Sequence, residues 1–260
     1  MKTSKVSALG KLARKPWFMA WELLEKALYR GKEYALQFPT GRRVYTPWFH
    51  DAATTDFMKV YRGTKAAGPV TQTPDRAYIL YQFVKASARL QGDMAECGVF
   101  QGGSAHLIAA TLNLHGKGDT RLHLFDTFAG APSVAVPERD AITPGAYSNT
   151  SVEGVGARLS PYGERCQLHP GLIPDTFAEV AHVPQYALVN IDVDLYPTNV
   201  ACCEWFWPRM APGGVLIFND FGFYPYRKST RKAVEEFFAD RPEEPIVLPT
   251  GQAFIIKPGA

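Results

Sequence analysis

Nothing in this chain approaches the run of roughly 20 apolar residues that a membrane-spanning helix needs. The N-terminus also lacks the uninterrupted apolar segment and small-residue cleavage site of a secretory signal. Export and membrane insertion are therefore not expected. Charge of one sign is scarce: the formal net charge is +3 over 260 residues, and no stretch interleaves Lys or Arg with aromatics as a base-stacking surface would. No nucleic-acid partner is expected. Cysteine is sparse, and Cys97, Cys166, Cys202 and Cys203 show no metal-ligand spacing, while the adjacent pair would close only a strained ring. The thiols are expected to be reduced, in a cytoplasmic protein. Also missing is the G-x-G-x-x-G signature of dinucleotide binding, which argues against a nicotinamide-dependent oxidoreductase.

What is present is core-forming material: 46% of the residues are hydrophobic and 20% charged, which fits a folded globular protein without bulk disorder. The small basic excess is local. Residues 1–45 hold ten Lys/Arg against three Glu, a net of +7, which leaves −4 for the rest. In this front part Trp17, Trp21, Leu24 and Leu28 recur at helical spacing, predicting an amphipathic helix over residues 17–36. A basic amphipathic helix can lie on a membrane surface, but packing on the protein's own core or on a second copy in a homo-oligomer is the expectation. Residues 39–75 and 129–156 have little periodicity, and either is a lid or a long connection, with Trp48, Phe49 and Phe57 as candidate lid residues.

From Met94 onward short strand-like runs alternate with helical patterns, which predicts a doubly wound, mostly parallel α/β sheet. Strands are expected over residues 94–97, 122–125, 165–168, 188–191 and 215–218, with helices over 105–114, 200–210 and 229–239. Pro212-Gly213-Gly214 is read as the turn before the fifth strand. Residues 245–248 and 253–256, joined by Pro249-Thr250-Gly251-Gln252, complete seven strands with a C-terminal antiparallel hairpin.

Two strand ends carry the clearest chemistry. Leu188-Val189-Asn190-Ile191 runs into Asp192 and Asp194, and Val215-Leu216-Ile217-Phe218 runs into Asn219 and Asp220. Neighbouring parallel strands would gather these oxygen ligands at one sheet edge, a set suited to a hard divalent cation such as Mg2+. At the end of the first strand, the glycines of residues 98–103 open a helix whose free N-H groups suit a carboxylate or phosphate. Asp126, thirty residues after Glu96, is placed to accept from both hydroxyls of a ribose. A tight turn and a capping carboxylate would explain each feature separately. Their joint placement at adjacent strand ends favours a nucleoside-bearing cofactor. His106 and His169 lie near the same strand ends, where a structural role outranks a catalytic one for a lone histidine. Tyr224, Tyr226 and Arg227 follow Asp220 and would border an acceptor pocket or join the core.

Residues 96–104 resemble the E-x-G-x-x-x-G-x-S cofactor loop of class I S-adenosylmethionine-dependent methyltransferases. The ordered motifs A-E-C-G-V-F-Q-G-G-S-A, L-F-D-T-F-A-G-A-P, I-D-V-D-L-Y-P-T, G-G-V-L-I-F-N-D-F-G and R-K-A-V-E-E-F are similar to the macrocin O-methyltransferase family over about residues 70–258. The resemblance implies a Rossmann-like methyltransferase domain over residues 70–260, preceded by a helical and lid extension over 1–69. It also implies methyl transfer from S-adenosylmethionine, with Mg2+, to a hydroxyl of a small natural product, with a sugar hydroxyl preferred. A phenolic or catechol hydroxyl, or a non-catalytic partner role for the same fold, are the alternatives.

Residue by residue, the resemblance gives Glu96, Gly98 and Ser104 the methionine end of the cofactor, with Val99, Phe100 and Gly102 completing the loop. Asp126, Thr127 and Phe128 would surround the ribose and adenine, Ser151 would lie near the adenine, and Thr71 and Thr73 would help from upstream. Asp192, Asp194, Asn219 and Asp220 would form the metal site, and Asp192 would also border the cofactor. Where the family reads Asp-Asp, this chain reads Asn219-Asp220, so the metal is expected to bind more weakly, to need the substrate to complete its shell, or to be lost altogether. Asp192 and Asp194, at i and i+2, face one side of an extended backbone. Asp192 is expected as ligand and Asp194 as ligand or general base, the competing role for Asp194 being a cap on the helix expected near Thr198.

Overall fold

The computed structural model describes residues 56–116, 119–133, 140 and 142–259. In chain order its main elements are α1 (Asp56–Ala66), α2 (Pro74–Ser87), β1 (Asp93–Cys97), α3 (Gly103–His115), β2 (Leu122–Asp126), α4 (Val152–Leu159), β3 (Cys166–Pro170), β4 (Tyr186–Ile191), α5 (Tyr196–Phe206), β5 (Met210–Phe218), α6 (Thr230–Phe238), β6 (Ile246–Val247) and β7 (Ala253–Ile256). The strands form one seven-stranded sheet in the order β3-β2-β1-β4-β5-β7-β6. Pairing is parallel from β3 through β5, and β7 runs antiparallel to both β5 and β6. The expected doubly wound sheet with a C-terminal hairpin is what forms.

Side-chain alternation builds the two cores. Met94, Leu122, Leu124, Leu188, Val215 and Ile217 face α1, α2, α3 and α4, whereas Ala95, Cys97, Phe125, Val189, Ile191, Leu216 and Phe218 face α5 and α6. Both faces of the sheet are thus covered, which is why the central strands read as unbroken apolar runs. Each such leucine or isoleucine contributes about 1.5–3 kcal/mol by leaving water. Phe57, a candidate lid residue, sits in this core at 1% exposure, its ring 4.9 Å from that of Tyr78. The described residues all belong to one compact unit. The helix expected over 17–36, together with Trp48 and Phe49, lies outside the described residues, as do 134–139 and 141 of the stretch 129–156.

Pro212-Gly213-Gly214 is not a turn before β5 but an irregularity inside it. The register slips so that Tyr186 pairs with Met210 and Leu188 with Val215. The backbone of this segment is still used, with Gly213 N donating to Lys257 O and Lys257 N to Gly214 O, each at 2.8 Å. Gly213, at φ +78°, supplies the left-handed residue that such a bulge requires. Among the described residues, no helix is long and apolar enough to cross a membrane.

The strand order reverses between β1 and β4, and a crevice opens there beyond the carboxyl ends of the strands. Gly98, at φ +88°, lets the two strand ends close on each other. A Cβ on it would lie 2.2 Å from the backbone oxygen of Asp192. The sheet thereby brings the glycine loop and the acidic cluster to a single opening.

Candidate active site

The crevice is a cleft of about 350 Å³ lined by the segments that follow β1, β2, β3, β4 and β5, together with the N-terminal part of α2 and the residues just before it. It has two chemically different ends.

At the β1–β2 end, a carboxylate organises the backbone. Asp126 Oδ2 accepts from Val99 N at 2.7 Å and Phe100 N at 2.8 Å, while Oδ1 accepts from Phe128 N at 2.8 Å. These charge-assisted bonds hold Phe100 and Phe128 at φ +50° and +51°, conformations that cost a non-glycine residue on the order of 1 kcal/mol or more. Thr150 adds a hydroxyl donor to Phe100 O. The capping role considered for Asp126 is therefore real, and the carboxylate still borders the cleft.

Glu96 lies just below this loop with no exposure to solvent. Burial pushes its carboxyl up to about 8; Ser104 and Asn190 oppose the shift, and the charges of Asp192 and Asp126 add to it. Asn190 Nδ2 donates to Oε1 at 2.8 Å, whereas buried Oε2 has no well-formed hydrogen bond.

Of the residues expected around a cofactor, Thr71, Gly98, Val99, Phe100, Ser104, Asp126, Thr127 and Asp192 line the cleft. The others do not. Thr73 precedes α2 at its N-cap without a capping side-chain bond, and Gly102 makes the left-handed turn into α3. Phe128 packs in the core, and Ser151 caps α4, accepting from Gly154 N at 3.0 Å.

At the β4–β5 end, Asp192, Asp194, Asn219 and Asp220 all line the cleft. Burial and the neighbouring charge of Asp220 push the Asp192 carboxyl upward against Arg76, Asn219 and Gln72, which stabilise its charge. Asp194 is raised to about 7 by burial, then by Asp192 and Asp220, while Tyr226 opposes the shift. Asp194 is not a helix cap: the N-cap of α5 is Leu195, and no side chain caps it.

The charge balance here rests on a residue that the sequence did not single out. Arg76 Nη2 donates to Asp220 Oδ1 at 2.8 Å and to Asn219 O at 2.5 Å, and its guanidinium lies over the Phe223 ring, 4.8 Å from the centroid. Asn219 Oδ1 accepts from Gln252 Nε2 at 3.0 Å and from Gln72 Nε2 at 3.5 Å. Ala77, Leu80, Tyr81 and Val84 are buried at helical spacing after Pro74, a signal that would have placed Arg76 in the first turn of α2. Nothing local announces its ion pair with Asp220.

Tyr226 lines the cleft, whereas Tyr224 is 75% exposed and carries Arg227 stacked 3.9 Å from its ring centroid. Neither candidate histidine reaches the cleft. His106 is held by the Thr64 hydroxyl at 3.0 Å and the Tyr162 hydroxyl at 3.1 Å, and burial lowers its pKa to about 4. His169 bridges His123 at 3.1 Å and Glu179 at 2.6 Å. Among the described residues, no group of three or more His, Cys, Asp or Glu is arranged to hold a metal ion.

Comparison with known proteins agrees with this fold. The sequence model of the Macrocin-O-methyltransferase (TylF) family matches residues 81–247. The chain is 29% identical over 155 residues to 8-demethyl-8-(2,3-dimethoxy-alpha-L-rhamnosyl)-tetracenomycin-C 4'-O-methyltransferase of Streptomyces olivaceus, a match covering 56% of this chain and 58% of the relative. It is 27% identical over 159 residues to demethyldecarbamoylnovobiocin O-methyltransferase of Streptomyces niveus, covering 57% of this chain and 58% of the relative. The matches thus span somewhat more than half the length of these relatives. In fold, the chain is similar to the solved structure of the O-methyltransferase NovP, with a TM-score of 0.64 and 20% identity over 93% of this chain and 99% of that one.

Proposed function

Because the chain belongs to the macrocin O-methyltransferase family, whose model matches well over half of it, we propose that it transfers a methyl group from S-adenosylmethionine to a hydroxyl of a small natural product, with a sugar hydroxyl as the preferred acceptor. The observation that carries the reading is that one cleft joins an Asp126-ordered glycine loop to the carboxyl pair Asp192 and Asp194.

The side chains at the β1–β2 end suit this cofactor. Buried Glu96 Oε2 has no well-formed hydrogen bond, and a cationic ligand nearby would return the carboxyl toward its charged form. Gly98 and Ser104 are the residues that would meet the methionine portion, and Thr71 and Thr127 offer further hydroxyls. Asp126 Oδ2 already accepts two backbone N–H groups, so a ribose hydroxyl would bond to Oδ1, where Phe128 N is held at 2.8 Å and the Thr127 hydroxyl only at 3.4 Å. S-adenosylmethionine would supply an electrophilic methyl group on a sulfonium centre.

At the other end, Asp192 and Asp194 line the cleft and would orient the acceptor hydroxyl and take its proton. The acceptor's proton would pass to a carboxylate of this pair as its oxygen takes the methyl group that the bound sulfonium would supply, leaving a neutral thioether. Phe223 and Tyr226 also line the cleft, aromatic side chains that suit the C–H faces of a sugar ring. The rhamnosyl group in the name of the tetracenomycin relative points to the same acceptor class.

The Mg2+ expected from the resemblance does not fit the side chains as they lie. Asn219 is neutral, and its oxygen is engaged by Gln252 and Gln72. Asp220 is already ion-paired to Arg76, with both side chains about 15% exposed. No step of the reaction is routed through a metal. Assembly as a homo-oligomer and a cytoplasmic location belong to the proposal as well, the former checked by light scattering on the purified chain.

The test is methyl transfer to a panel of free, nucleotide-linked and aglycone-linked sugars and of phenols, followed by mass spectrometry. A mass gain of one methyl on a sugar oxygen is expected. Transfer to phenols alone would replace the sugar preference, and no transfer to any acceptor would remove the reading.

A further inference from the structure

The departure at Asn219 and the unforeseen Arg76 belong together. A hydrogen-bond chain sets the direction of the Asn219 amide. The Thr250 hydroxyl donates to Gln252 Oε1 at 3.0 Å, which leaves Gln252 Nε2 to donate to Asn219 Oδ1 at 3.0 Å. Gln252 has no solvent exposure and Asn219 only 2%, so water does not substitute for these contacts. With its oxygen occupied in this way, Asn219 keeps only its N–H end for Asp192, its neighbour in the cleft lining, whose charge Asn219 and Gln72 stabilise. A carboxylate at position 219 would have no proton to offer Asp192 and would repel it.

Arg76 supplies the positive charge. One nitrogen holds Asp220 and the backbone oxygen of Asn219, and the Phe223 ring covers the guanidinium face. Its buried Nε has no partner within the protein. A divalent cation placed among these groups would meet a guanidinium already bound to one of its ligands and an amide turned away.

Resting on the methyl-transfer reading above, we propose that Arg76 is the resident cation of the acceptor end. Asn219 serves as a hydrogen-bond donor to Asp192, and the hydroxyl is activated without a divalent metal. The proton leaves to the carboxyl pair as before. Arg76 acts through Asp220 and Asn219 as a positioning residue, keeping Asp192 and Asp194 as the carboxyls that face the acceptor.

The test begins with a readout independent of turnover. Mn2+ titrated to about 1 mM into the wild-type protein, with and without S-adenosylmethionine, should keep the paramagnetic resonance spectrum of the free ion. Asn219→Asp combined with Arg76→Met should bind Mn2+ and diminish that spectrum. Wild-type turnover should be the same in EDTA as in Mg2+. Arg76→Met should lower kcat roughly a hundredfold while leaving cofactor affinity within about threefold, and Arg76→Lys should recover part of the loss. Saturable Mn2+ binding by the wild type, or a loss of about tenfold or more in EDTA, overturns the proposal. So does an Arg76→Met protein that is fully active, or one whose turnover, cofactor affinity and melting temperature fall together. Methyl transfer that requires metal sinks this inference alone, whereas absence of transfer under every condition sinks the methyl-transfer reading on which it rests.

Discussion

The two ends of the cleft manage negative charge in opposite ways. At the β1–β2 end, Asp126 is neutralised by backbone N–H groups from its own neighbourhood, Val99, Phe100 and Phe128. At the β4–β5 end, Asp220 is neutralised by a side chain from α2, with a chain separation of 144 residues. The first end is a local loop motif whose order depends on one carboxylate. The second is assembled by the fold, from groups that have no reason to be near each other until the sheet is complete. On the proposed reading, binding a constant cofactor and handling a variable acceptor would be divided between a short-range and a long-range construction.

The largest expected effect breaks the chemistry while sparing the cofactor end. Asp192→Asn and Asp194→Asn should each lower kcat by about 10²–10⁴-fold, the usual cost of losing an acid–base group. Cofactor affinity measured by calorimetry should stay within about threefold. An equal fall in both quantities would mean that the two ends are one site rather than two.

Next in size is the reciprocal experiment. Asp126→Ala leaves three loop amides without their acceptor. It should cost on the order of 2–4 kcal/mol of stability in a urea titration, and cofactor affinity should fall at least about tenfold. Retained affinity would assign the ordering of the loop to Thr150 instead.

Acid tests whether the α1–α3 layer holds the loop independently of the acceptor end. His106 stays neutral in the fold down to about pH 4, because burial, and then the charge of Arg158, lower its pKa from 6.5. Between those values the unfolded chain takes up a proton that the folded chain refuses. The fold should therefore lose up to roughly 3 kcal/mol as pH falls from 6.5 to 4, with no further loss from this group below that. In His106→Gln this part of the pH dependence should vanish, as read from urea unfolding across the range. The smallest effect is expected at Ser151, where alanine should cost about 1 kcal/mol as a lost helix cap and leave kcat and cofactor affinity unchanged. A drop in affinity there would return Ser151 to the adenine surroundings.

The same contrast explains how much was legible in the sequence. Each central strand was readable because its apolar run is buried on both faces, and the glycine loop because its residues are contiguous. Gly213 misled the reading of β5, since a left-handed glycine after proline serves a bulge as well as a turn. The helix α2 was overlooked although Pro74 and the buried positions Ala77, Leu80, Tyr81 and Val84 announce it. The four acidic and amide residues were correctly gathered in one place, because parallel neighbours β4 and β5 end together. Their chemical state was not readable. It depends on Gln72, Arg76 and Gln252, which reach Asn219 and Asp220 across sequence separations that no spacing rule covers.

The most direct test of the whole account is a calorimetric titration of S-adenosylmethionine into the purified wild-type chain in the presence of EDTA. The account predicts saturable binding of one cofactor per chain, unchanged when Mg2+ replaces EDTA. No heat of binding under either condition would contradict the assignment of the cleft, and binding that appears only with Mg2+ would contradict its division into a backbone-ordered cofactor end and an arginine-neutralised acceptor end.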